Sequence, residues 1–107
     1  MNPAPHDGYF EAYWPRGVRR VTTRQLAPRL PTLEGKRIAF AWDYVFRGDV
    51  MFDEIRKQFS ARYPGVSFVG HEEMGNIHGS DERAVVAALP GRLKAKGVDA
   101  VIIGVAA

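Results

Sequence analysis

The sequence of 107 residues is 46% hydrophobic and 25% charged, a balance that supports one globular domain with a modest core and excludes a disordered chain. No apolar stretch approaches the roughly 18 residues that span a bilayer, and residues 1–6 lack a secretory leader's basic start and apolar centre, so the expected location is cytoplasmic. Without cysteine, the chain has no disulfide, thiolate metal site or thiol nucleophile of its own, and its net charge of +3 is too evenly spread to mark a nucleic-acid surface.

Residues 1–34 read as an extended arm. Pro3, Pro5, Pro15, Pro28 and Pro31 bar a long helix. Five basic residues (Arg16, Arg19, Arg20, Arg24, Arg29) against Asp7, Glu11 and Glu34 give residues 1–35 a charge of +2. No nucleic-acid-binding module accompanies them, so nucleic acid is not assigned as a partner. Tyr9, Phe10, Tyr13 and Trp14 fall within six residues, a density at odds with a solvated linker. The expectation is that they pack on their own domain or on another subunit, the arm embracing a neighbour.

Residues 35–107 read as an α/β domain. Lys36-Arg37-Ile38-Ala39-Phe40-Ala41-Trp42 predicts a first central strand with an outgoing loop over residues 43–48. Asp49 is a candidate N-cap for a helix over residues 50–62, with Asp53 and Glu54 near its positive end. Met51, Phe52, Ile55, Phe59 and Tyr63 recur at helical spacing and are expected to face a sheet, leaving Arg56, Lys57 and Arg62 in water. Pro64-Gly65 ends the helix, and residues 66–70 predict a second short strand. After a polar loop over residues 71–79, Ser80 or Asp81 caps a helix whose stripe is Val85, Val86, Leu89 and Leu93. Pro90 predicts that this segment is either kinked or two short helices.

After Gly97, Asp99-Ala100-Val101-Ile102-Ile103-Gly104-Val105 is an unbroken β-branched run without period-2 alternation, which predicts a parallel strand covered on both faces. The resulting β-α-β-α-β order describes a short parallel sheet, about half of a flavodoxin- or Rossmann-type fold. Its open edge and unfinished face call for cover by a second chain or a continuation of this one. A homo-oligomer, or a hetero-oligomer with a companion subunit, is therefore expected.

Leu33-Glu34-Gly35-Lys36-Arg37-Ile38, this element order and the closing Gly97-Val98-Asp99-Ala100-Val101-Ile102-Ile103-Gly104-Val105 resemble the N-terminal part of the UGSC family over about residues 26–107. That family is named for a Sec/Cys-Gly-Ser-Cys motif following a strand of this type, and Ala106-Ala107 correspond to the positions just ahead of it. The motif itself is absent from the 107 residues. The resemblance implies an enzyme portion whose selenolate or thiolate comes from elsewhere. Three routes are open: a selenocysteine codon read as a stop, cleavage or gene splitting ahead of the motif, or a companion subunit. A thiolate at that turn would have its pKa lowered by the helix that follows, which suits nucleophilic or redox work.

In a parallel sheet the exits at residues 43–49, 71–79 and 104–107 share one edge, where ligands gather. Asp43 is a candidate base or orienter, and Arg47 a bidentate holder of a substrate carboxylate or phosphate; the alternative is that Asp43 closes a turn. His78, ahead of a helix N-terminus, is a candidate general acid/base, with a structural loop histidine as the alternative. Tyr44, Arg47, Asn76, Gly79, Ser80 and Gly104 complete the candidate set as binders of a small anionic substrate, although Asn76 also suits a left-handed turn. His71 and His78 beside Glu72 and Glu73 match no established metal spacing, so neither a metal nor a cofactor is assigned. Trp42 is expected in the core rather than in a pocket wall. A non-catalytic module that docks a partner through the arm and the open sheet edge is the competing reading.

Overall fold

The computed structural model describes residues 8–18 and 21–106. The expectations attached to Pro3, Pro5, Asp7, Arg19 and Arg20 in the arm, and to Ala107, lie outside them. The elements follow in the order β1 (Arg37–Trp42), α1 (Gly48–Arg62), β2 (Ser67–Val69), a 3-10 turn (His71–Glu73), α2 (Glu82–Ala95) and β3 (Ala100–Gly104). The three strands are parallel in the order β2-β1-β3, so β1 is central.

β1 takes that place because its residues are apolar on both sides. Residues 38–42 are all buried, with aromatic rings alternating with alanines. Phe40 and Trp42 meet Phe52, Ile55, Phe68 and Ile102 on the face covered by α1. Ala39 meets Val69, Met74, Leu89, Leu93, Val98 and Val101 on the face covered by α2. The helices therefore lie on opposite faces of the sheet. Fully burying a side chain such as Phe40 or Met74 stabilises the fold by about 1.5–3 kcal/mol. Gly97, at φ 63°, ends α2: its N–H bonds Lys94 O while Val98 N–H bonds Leu93 O, a Schellman closure that favours glycine at the left-handed position.

Several local expectations are corrected. α1 starts at Gly48 with Arg47 as its N-cap residue, so Asp49 lies inside the first turn and caps nothing. Asp81 is the N-cap residue of α2 but makes no side-chain capping bond. Met51 and Val86 are exposed, each at the margin of its helix's apolar face. Arg56 is half-buried rather than solvated, its guanidinium lying 4.9 Å over the Phe40 ring and pairing with Asp53. α2 is one helix with Pro90 inside it, so of the two alternatives the pair of short helices falls. β3 packs on the core through Val101 on one face and Ile102 on the other, but Ile103 is 58% exposed because β3 is an edge strand.

The described part of the arm has no helix or strand, and Tyr9, Phe10, Tyr13 and Trp14 are exposed. The expectation that these rings pack on their own domain is therefore not met. Among the described residues, no helix is long and apolar enough to cross a membrane.

Candidate functional site

The β2-β1-β3 order makes the connections leaving β1 and β2 travel in opposite directions across the sheet. At such a reversal the loops beyond the carboxyl ends of the strands part and leave a crevice. A pocket of about 310 Å³ lies there, lined by Asp43 and Val45 after β1, Ile77 and His78 from the 71–79 loop, and Val105 and Ala106 after β3.

Asp43 is the buried polar residue of this rim, 5% exposed. Its Oδ1 accepts the Val45 N–H at 3.1 Å and its Oδ2 the Ala106 N–H at 2.8 Å. Its own N–H donates to Gly104 O at 3.2 Å. Burial pushes the carboxyl's pKa up, but the Ala106 and Val45 N–H groups and the nearby His78 outweigh it and hold the pKa below its ordinary value. An ionised carboxylate with both oxygens engaged is an orienter: it fixes the backbone leaving β3 against the backbone leaving β1. The Val45 bond is an Asx turn, so Asp43 closes the turn after β1, as the alternative reading had it, and with the Ala106 bond the geometry favours an orienter over a base.

His78 stands on a tightened loop. Ile77 N–H donates to Trp42 O, and Asn76 makes an isolated parallel bridge with Trp42, so the loop extends the β1 edge. Asn76 Oδ1 then accepts the His78 N–H at 2.9 Å, an Asx turn that sets where the imidazole leaves the chain. Asn76 thus acts through its amide, and the left-handed position belongs to Gly75 at φ 81°. His78 Nδ1 lies 3.4 Å from Glu82 Oε2 on the surface, which leaves Nε2 for a ligand.

The other candidates are placed differently. Arg47 is not among the pocket-lining residues; its side chain is 84% exposed, with Nε 3.8 Å from Asp49. Tyr44 sits at φ 63°, and its ring stacks on Trp42 at 4.4 Å and meets His71 edge-on. Burial and the Glu72 carboxylate push its phenol pKa up. Gly104 serves packing: a Cβ there would come within 2.9 Å of Phe46 and 3.0 Å of Phe52. Gly79 lies where a Cβ would crowd Asp81 and Asn76, and Ser80 is exposed beside it.

Sequence reasoning missed the backbone N–H groups of Val45 and Ala106, which carry no residue-type mark, and the pairing of Trp42 with His71. Those two rings meet edge to face at 5.0 Å, and Trp42 Nε1 and His71 Nδ1 are both buried without a hydrogen-bond partner. Among the described residues, no three His, Asp or Glu side chains converge as a metal site would need.

A sequence model of the UGSC family matches residues 11–107. No curated protein and no solved structure matches the chain.

Proposed function

We propose, from the premise that this chain belongs to the UGSC family, that it forms the pocket wall of a UGSC-like α/β enzyme acting on a small anionic substrate. The Sec or Cys nucleophile or redox centre comes from a following segment or a partner chain, since these residues contain no cysteine. The observation that carries the reading is the convergence of Asp43, His78 and the backbone after β3 on one crevice. In the family the reactive motif follows a strand of this kind. Asp43, holding Ala106 N–H, would fix the approach to that motif. His78 is the lining residue able to carry positive charge, so it is the group that receives the anion or moves a proton. The setting is a Rossmann-like half-sheet in a cytoplasmic oligomer.

Amide and imidazole NMR spectra recorded during titration with inorganic phosphate and a short dicarboxylate test the reading. The expected shifts concentrate at Val45, Ile77, His78 and Ala106 and disappear in His78→Gln. Shifts scattered over the surface, or unchanged in His78→Gln, overturn it.

The exposed aromatic residues of the arm favour a second reading, a non-catalytic module that docks a partner. It predicts no response at the pocket, and loss of assembly when the arm is removed.

A further inference from the structure

We infer that the apolar groove along α1, at the margin of the core, seats the aromatic arm of a second copy of this chain, giving a dimer by reciprocal arm exchange. The inference rests on the assembly reading above and gives it a partner and a surface.

Met51, Ile55 and Phe59 follow one another at four-residue spacing, so they form a continuous ridge along α1. With Glu54 and Gln58 they line a groove of about 280 Å³, separate from the pocket at the strand ends. Ile55 also packs against the core ring cluster, and Met51 is 54% exposed. The groove is thus the uncovered margin of the core itself.

The arm has the complementary chemistry. Tyr9, Phe10, Tyr13 and Trp14 are 81%, 92%, 93% and 75% exposed. An aromatic side chain buries roughly 150–250 Å², so one or two rings of the arm fill a groove of this size. Charge agrees as well: Arg16 lies 5.5 Å over the Trp14 ring and would travel with it, while Glu54 stands in the groove.

The root of the arm favours exchange over folding back. Gly35 N–H donates to Pro64 O, which anchors the arm's exit beside the C-terminal end of α1. The molecule measures 75 × 29 × 25 Å, so the arm carries its aromatic cluster clear of its own α1. A two-fold arrangement satisfies both grooves at once, with each arm crossing to the other copy.

Sedimentation of the full chain at micromolar concentration gives the first readout. The wild type is expected to be a dimer, with Met51→Glu and Trp14→Ser each weakening it about tenfold or more, as loss of a buried anchor does. Because the chain has no cysteine, mixing Ala12→Cys, which leaves the four rings in place, with Gln58→Cys gives the second: a disulfide-linked pair of unlike chains is expected. A monomeric wild type, a dimer indifferent to Met51→Glu, or the absence of a link between the two variants overturns the inference. The phosphate titration at His78 is read on the same samples, so failure of the dimer and failure of the pocket are distinguishable.

Discussion

Asp43 Oδ2 and the backbone N–H of Ala106 lie 2.8 Å apart across 63 residues of sequence. With Asp43 N–H on Gly104 O, this makes a two-point tie between the exits of β1 and β3. The tie requires an ionised carboxylate, because Val45 and Ala106 each donate to a different oxygen.

Asp43 therefore links stability to pH. Its pKa is lowered in the folded chain, so its contribution is present above the unfolded carboxyl's pKa and is lost as pH falls through the folded value. Asp43→Asn keeps one acceptor and loses the other, so it is expected to lower the urea midpoint at neutral pH. The gap to wild type should narrow on acidification. Hydrogen exchange at Ala106 should accelerate in the variant.

Gly48→Ala sets helix propensity against packing. Alanine gains about 1 kcal/mol inside a helix, but its Cβ would stand 2.6 Å from Trp42 Nε1 and 2.9 Å from Cδ1. Overpacking of this kind costs about 1–3 kcal/mol, so net destabilisation with altered Trp42 fluorescence is expected. Gly91→Ala is the control: nothing lies within 4 Å of its Cβ, and thermal denaturation should show stabilisation by about 0.5–1 kcal/mol.

Tyr44 holds a left-handed backbone while stacked on Trp42. The conformation costs an ordinary residue about 1–2 kcal/mol, and the ring pair returns about 0.5–1.5 kcal/mol. Tyr44→Gly relieves the first and forfeits the second, so its denaturant midpoint should lie close to wild type. Tyr44→Val adds a β-branch at positive φ and loses the stack, so it should be clearly the less stable of the two.

Met74 is fully buried, and its carbonyl accepts a bond from Arg92 Nη1 at 3.1 Å, which ties the 71–79 loop to α2. Met74→Ala should cost about 2–5 kcal/mol in equilibrium unfolding. His78 should then lose its fixed chemical shift before the sheet melts.

The α/β class was legible because residues 38–42 carry uninterrupted apolar character and α1 repeats its large side chains at helical spacing. Periodicity names a face without naming what covers it, which is why Met51 and Val86 came out exposed. At the crevice, the shared edge of Asp43 and His78 follows from chain direction alone. The engagement of Asp43 does not, since its partners are N–H groups that every residue but proline carries. Arg47 shows the same limit: the residue type suits an anion, but its exposed side chain stands beside Asp49 and does not line the pocket.

With residues 38–42 sealed on both faces, the middle of the sheet has almost no room to vary. New specificity must be written into residues 76–79, the tip of the loop that meets β1 through the Trp42–Asn76 bridge, while His71 and Met74 of the same loop pack against the interior and have to stay. A designer grafting a different recognition chemistry onto this scaffold would begin at that loop and leave Asp43 alone.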